Sequence, residues 1–175
     1  MSDLKKTIET EVTFLEMTFP PVLETRWPEP DLSFEEIPFP DIDSYRTLYH
    51  QVGEPHYWVN RRHLTRKQLT ALLHHPENRV YYLRRAGALI GFTEVNARRF
   101  PQMEIVFVGL IPTETGKGLG RAILMETLKQ IWERQPQRVI IETNTLDHPA
   151  AMTLYQQVGF APYDSRTVVI QDPYA

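Results

Sequence analysis

The apolar positions of the chain change period several times, and each change predicts an element. From residue 79 they alternate through "RVYYLRRAGALIGFTEVNAR", which predicts two strands, and the turn at Ala86-Gly87 makes them a hairpin. "QMEIVFVGLI" is too apolar over its central residues for a surface strand, so it belongs inside a sheet, and Pro112 ends it. Beyond it the period lengthens. Leu119, Ile123, Leu124, Leu128, Ile131 and Trp132 fall on one side of a helix, and Arg121, Glu126, Lys129 and Glu133 take the other. "RVIIETN" reads as another buried strand. It leads into "DHPAAMTLYQQVGF", a helix with Pro149 in its first turn and Gly159 at its stop, and "TVVIQ" closes the chain as a last strand.

The first part of the chain is less regular. Six of the fourteen prolines fall in "FPPVLETRWPEPDLSFEEIPFP", and proline has no N–H to donate to a ladder. The segment reads as a short strand at "VTFLEMT", an extended connection and a second short strand at "LSFEEI". Asp41 or Asp43 caps a helix through "IDSYRTLYHQV" with Gly53 as its stop, and Thr65 caps a second through "RKQLTALLHH", ended by Pro76. His74 and His75 are neighbours on that helix and point to different faces. They read as cations at a helix end rather than as a metal site.

Composition narrows the class. The chain has 175 residues, 42% hydrophobic and 23% charged, enough for one globular domain with its own core. Residues 1–31 read as an N-terminal extension with one short strand, and residues 32–175 as the domain. The N-terminal forty residues are either a dimerisation arm, which would make a homodimer, or a cover for one sheet edge. A net charge of −3 offers no basic field for a nucleic-acid backbone. Without cysteine there is no disulfide framework, thiolate metal site or cysteine nucleophile. No stretch approaches the ~18 apolar residues of a membrane span, and "MSDLKKTIETEV" lacks the apolar run of a signal peptide. The expectation is a cytoplasmic protein with no nucleic-acid or membrane partner and no metal.

The chemistry concentrates in "TETGKGLGRAIL". Gly116, Gly118 and Gly120 lie between a strand and an amphipathic helix, and such a loop can present several backbone N–H groups to phosphate oxygens. A tight crossover loop without a ligand is the plain alternative. The triphosphate loop G-x-x-x-x-G-K-[ST] does not fit, because Arg121 follows Gly120. The dinucleotide fingerprint does not fit either, because Arg121 stands where its third glycine is needed.

"LIPTETGKGLGRAIL" resembles the acetyl-CoA loop Q/R-x-x-G-x-G/A of the GNAT superfamily of N-acetyltransferases, with Gly118 and Gly120 at the two small positions. Thr115 stands where the family has Gln or Arg. Further on, "HPAAMTLYQQVGF" resembles the family's N-x-x-A-x-x-x-Y-x-x-x-G-F, with Ala151, Tyr155, Gly159 and Phe160 in register and His148 in place of Asn. "TLDHPAA" is similar to a bacterial branch of the superfamily. The resemblance implies an α+β three-layer fold: a mostly antiparallel mixed sheet of six to seven strands flanked by four helices, with the fourth and fifth core strands splayed in a V. It also implies direct attack of an amine on acetyl-CoA. The coenzyme would be held by Gly109, Leu110, Thr115, Gly116, Lys117, Gly118, Leu119, Gly120, Arg121 and His148.

Under that reading Glu104, on the strand leading to the loop, is the expected base. Flanking apolar residues should desolvate it and raise its pKa. A salt-bridged or edge glutamate is the plain alternative, and Glu94 and Glu142 are competing carboxylates. Tyr155 is the expected acid for the leaving sulfur, against a plain packing tyrosine. The oxyanion donor is expected at the N–H of Gly109 or Leu110, and Gly109 marks either a bulge or a close backbone approach. For the acceptor, a small-molecule or peptide amine, "GEPHYWVNRRHL" offers Tyr57, Trp58, Arg61 and Arg62, or else forms an aromatic plug. The rival functions are a coenzyme-binding module without turnover, and an acyltransferase using another acyl-CoA or a hydroxyl acceptor.

Overall fold

The computed structural model describes residues 6–21 and 24–175. In chain order its elements are β1 (Thr7–Met17), β2 (Leu32–Glu36), α1 (Ile42–Gly53), α2 (Arg66–Leu73), β3 (Asn78–Arg85), β4 (Ala88–Asn96), β5 (Gln102–Leu110), α3 (Leu119–Trp132), β6 (Arg138–Asn144), α4 (Ala151–Val158) and β7 (Ala161–Gln171). Short 3₁₀ turns follow α1 at Glu54–His56 and β5 at Pro112–Glu114. The strands make one seven-stranded sheet in the order β2-β3-β4-β5-β6-β1-β7. Every neighbouring pair is antiparallel except β5 and β6, and α3 supplies the crossover that a parallel pair requires.

Local chemistry explains the elements. Ala86 and Gly87 both take positive φ, 46° and 86°, so β3 and β4 turn through two residues of the kind that suits the strand twist. Of the two candidate caps for α1, Asp41 is the cap: its carboxylate accepts from Ser44 N at 2.9 Å. Thr65 and Gln68 form a reciprocal capping box on α2. Gly53 is not a left-handed stop. The chain runs on into the 3₁₀ turn, and the αL residue is Tyr57 at φ 58°. A Cβ on Gly53 would lie 2.6 Å from Trp58, so glycine is there to admit the indole.

Alternation along the strands divides the core into layers. Val80, Tyr82, Phe92 and Phe107 pack under α1 and α2 with Tyr45, Tyr49, Leu69 and Leu73. On the opposite face Val95, Met103, Ile105, Val139 and Ile141 meet Leu124, Leu128, Ile131 and Tyr155 from α3 and α4. The result is a three-layer α+β fold with four helices on a mixed sheet. No helix among the described residues is long and apolar enough to cross a membrane.

The N-terminal segment departs from expectation. β1 is not part of an extension that covers an edge: it lies inside the sheet, paired with β6 on one side and with β7 on the other. Leu15 and Met17 are buried in the core shared with α4. Of the expected extension, residues 1–5, 22 and 23 lie outside the described residues. β7 is also longer than "TVVIQ", because an edge strand with polar side chains on both faces carries no alternation to read.

The splay is set by two features. β5 and β6 pair only from Gln102 with Arg138 to Ile105 with Ile141, and beyond that they separate. Opposite Glu94 and Val95 the β4–β5 register skips Val106, so the bulge that bends β5 is at Val106 and not at Gly109. Gly109 answers to the other alternative, close approach: a Cβ there would stand 2.3 Å from Val52 and 3.2 Å from Trp58.

Because β1 holds β6 and β7 together, truncating its innermost side chain should cost as much as any core deletion. Leu15→Ala is expected to lower unfolding free energy by about 2–5 kcal/mol in urea titration; a loss below about 0.5 kcal/mol would show that β1 is dispensable.

Candidate active site

The glycine loop is fastened at its base. Glu114 is buried and accepts from Arg85 at 2.9 Å and Lys117 at 3.4 Å, while Arg85 also reaches Glu29 and Asp31. The Arg85 hydrogen bond, against a smaller opposing effect of burial, holds the Glu114 carboxyl below its ordinary range. Lys117 is thereby turned to Glu114 and away from the cavity, and Leu119 is fully buried in the core; neither lines the site as expected.

Gly116 and Gly118 have φ of 77° and 80°, with nothing within 4 Å of an added Cβ. Backbone conformation, not crowding, demands glycine there. Gly118 is the N-cap of α3 and brings no side-chain cap, so the first-turn amides of the helix are left to an outside acceptor. Thr115, Gly116, Gly118, Gly120 and Arg121 all border one cavity of about 670 Å³. An open cradle at an uncapped helix N-terminus fits a diphosphate. Thr115 contributes less than a long polar side chain would, since its hydroxyl donates to Pro112 O at 2.9 Å.

The cavity occupies the gap between the separated strands. Ile111 N donates to Ile90 O, and the Gly109 carbonyl lies against Gly91, so these residues face β4. Strand alternation then turns the N–H of Leu110 and Val108 the other way, into the gap. Of the two expected oxyanion donors, Leu110 has the right orientation and Gly109 does not. Tyr155 borders the same cavity from α4 at 7% exposure, and burial, then the Asp147 charge, raises its hydroxyl far above the usual value. His148 lies on the rim, its Nδ1 accepting from Ala150 N at 3.1 Å, as a capping Asn would.

The three candidate carboxylates separate cleanly. Glu94 is fully buried, accepts from Tyr45 Oη at 2.5 Å and is paired with Arg61. Burial, then the Glu94 charge, raises the Tyr45 hydroxyl well above its ordinary pKa. That network removes Glu94 as a base, and it removes Arg61 from the acceptor site: Arg61 is absent from the cavity wall and lies over the Phe107 ring at 5.0 Å. Glu104 borders the cavity, and burial, then the Glu142 charge, raises its carboxyl. Glu142 also borders it but is exposed, so the upward push from partial burial and then from Asp147 is screened by solvent.

Tyr57 and Trp58 line the cavity from the loop after α1. Trp58 spans the gap: its ring packs on Phe107 at 4.9 Å and its Nε1 donates to Asp147 Oδ1 at 3.2 Å in the β6–α4 connection. Asp147 in turn accepts from Thr143 Oγ1 and Asn144 N. Sequence reasoning did not find this tie; its only signal was an Asp two residues before Pro149 in "TLDHPAA". His74 and His75 belong elsewhere, His74 on Pro40 O at 3.0 Å. Among the described residues no group of three or more His, Asp or Glu could hold a metal.

A sequence profile described as the acetyltransferase (GNAT) family matches residues 25–160. The chain belongs to that family. The GNAT match begins after β1 and ends before β7, so the strand inserted between β6 and β7 lies outside it. Among GNAT relatives with curated names, a mycothiol acetyltransferase of Paenarthrobacter aurescens (strain TC1) is 32% identical over 95 residues, 51% of this chain and 29% of that protein. One from Thermobispora bispora is 39% identical over 85 residues, 43% of this chain and 28% of that one. The matched region thus spans less than a third of either relative. A GCN5-related N-acetyltransferase from Sphaerobacter thermophilus superposes with a TM-score of 0.69 at 18% identity, covering 91% of this chain and 50% of that one. An aminoglycoside acetyltransferase from an uncultured soil metagenomic sample gives 0.62 at 14% identity, with 74% and 88% covered.

Removing one partner from a buried ion pair strands the other charge. Arg61→Ala should therefore lose about 3–5 kcal/mol of stability by chemical denaturation. Stability unchanged within about 0.5 kcal/mol would return Arg61 to the list of acceptor contacts.

Proposed function

We propose that the chain transfers the acetyl group of acetyl-CoA to an amine by direct attack. One observation carries the reading: a single cavity on the separated strands brings the glycine loop, Tyr155, Glu104 and the inward side of Leu110 together. Acetyl-CoA supplies the acetyl group as an activated thioester. The amides of Gly116, Gly118, Gly120 and Arg121 hold its diphosphate, and the Arg121 side chain adds a cation. Leu110 N–H stands at the oxygen on which charge develops.

Glu104 takes the proton. The N–C bond forms as the C–S bond breaks; of the two protons the ammonium gives up, one ends on the sulfur, delivered by Tyr155 Oη, and the other leaves through Glu104 to solvent. The raised pKa of Glu104 makes it a stronger base than an exposed carboxylate, and burial keeps the Tyr155 proton in place until the sulfur needs it. His56 and His148, whose rings lie 6.3 Å apart, also border the cavity.

Thiol release with acetyl-CoA and a panel of amines tests the reading. Glu104→Gln should lower kcat/KM by about 10²–10⁴ with coenzyme affinity unchanged, and Tyr155→Phe should act chiefly on kcat. Coenzyme binding without turnover of any amine would instead favour a binding module.

The pH dependence follows from the direction of the shift. Activity should rise with pH through the Glu104 pKa, which lies above the ordinary 4.5, because the base must be ionised. The folded state binds this proton more tightly than the unfolded one, so stability falls as pH rises from the unfolded-state pKa through the higher folded-state pKa of Glu104, and above that the loss stays constant. Glu104→Gln should therefore raise Tm at neutral pH while abolishing the pH-dependent limb. An unchanged pH–rate profile in this variant would assign the base to Glu142.

A further inference from the structure

The site continues beyond Glu104. A second cavity of about 290 Å³ runs on along the open face of β5, β6, β1 and β7, and it shares Phe14, Glu104, Ile141, Glu142 and Arg166 with the first. Strand register places the groups that face it. Glu142 is opposite Phe14 and Phe14 is opposite Asp164, while one pleat further along Val12 is opposite Arg166. Alternation puts all of them on the same side of the sheet.

Several charges along this groove are already committed. Arg138 donates to Glu16 at 2.6 Å and to Gln102 at 3.0 Å, and its guanidinium covers the Tyr163 ring at 4.4 Å. Asp164 accepts from Ser165 N at 2.8 Å. What is left is three carboxylates, Glu104, Glu142 and the still-charged Asp164, and a pair of guanidiniums, Arg99 and Arg166. Among the described residues no ion pair joins any of these five. Arg166 lies over the Phe14 ring at 4.6 Å; a stack of this kind fixes the guanidinium plane and leaves its N–H edges for a planar anion.

Charges of both signs, none held in a direct ion pair, match a ligand with one positive and one negative end. A polycation would satisfy the carboxylates and be repelled by the arginines, and an apolar amine would desolvate these charges without return. We infer that the acceptor is an amine that also carries a carboxylate, a free amino acid or a short peptide that brings both its termini to the groove. Its ammonium group is received between Glu104 and Glu142, and its carboxylate is held by Arg166 with Arg99. The assignment rests on the acetyl-transfer reading of the first cavity and extends it to the acceptor class.

The test uses the full chain with acetyl-CoA and straight-chain amines of graded length, each offered as the amino acid, its carboxamide and the matching diamine, with a short peptide series beside them. At the best length the amino acid should exceed both analogues in kcat/KM by about tenfold or more, and Arg166→Gln should bring the acid-to-amide ratio close to one, with Arg99→Gln lowering it in part. A ratio near one in the unaltered protein, a preference for the diamine, or an Arg166→Gln variant that lowers acid and amide equally would overturn the assignment. The peptide series separates a free amino acid from a short peptide. Calorimetry of the acids and amides with coenzyme A present keeps the two readings apart: acid-selective binding without turnover would sink acetyl transfer and leave the groove assignment standing, and turnover without acid selectivity would do the reverse.

Discussion

The structure depends on one broken pairing. β5 and β6 share hydrogen bonds for four residue pairs and then separate, although both continue as strands. A backbone group left unpaired inside a protein costs a few kcal/mol unless something else satisfies it. The inward amides of Val108 and Leu110 are therefore a standing demand for an acceptor, and so are the uncapped first-turn amides of α3. Both demands open on the same cavity. The bulge at Val106 keeps β5 bent away from β6, and Trp58 bridges the two banks of the gap from Phe107 to Asp147. The gap is thus built and braced by particular side chains, and it does not arise from loose packing.

The other side of the sheet supplies the rigidity. The buried Tyr45–Glu94–Arg61 network pins the loop that carries Tyr57 and Trp58 onto β4, and Tyr57 accepts a left-handed conformation to make that loop's turn. A non-glycine residue at positive φ stores on the order of 1 kcal/mol, held in place by the contacts on either side. Electrostatics follows from this layering. Glu94 under α1 is paired and silent, whereas half-buried Glu104, on the stretch of sheet beyond the helices, has its pKa raised by burial and by the negative charge of the more exposed Glu142.

Much of this was legible in the sequence because it was local. The period of α3, the Ala86-Gly87 turn, the glycines before α3 and the Ala151, Tyr155, Gly159 and Phe160 series each depend on residues close together in the chain. The misses share the opposite property. β1 carries an ordinary alternation that cannot say which strands it will join, and its partners β6 and β7 lie more than a hundred residues away. Arg61 looks like a free cation in sequence, and only the fold brings Glu94 to it; Lys117 is the local exception, paired with Glu114 three residues before it. Gly109 signalled a special backbone, yet whether a bulge or a tight contact required it depended on Val52 of α1.

The central claim is that the parted strands and the glycine loop together form the coenzyme site. Amide hydrogen exchange followed by mass spectrometry, with and without acetyl-CoA, reads those backbone groups directly. The account predicts slowed exchange across Val108–Leu110 and Gly116–Arg121, with β1 and α2 unaffected. Slowed exchange confined to other elements, or none at saturating acetyl-CoA, would contradict it.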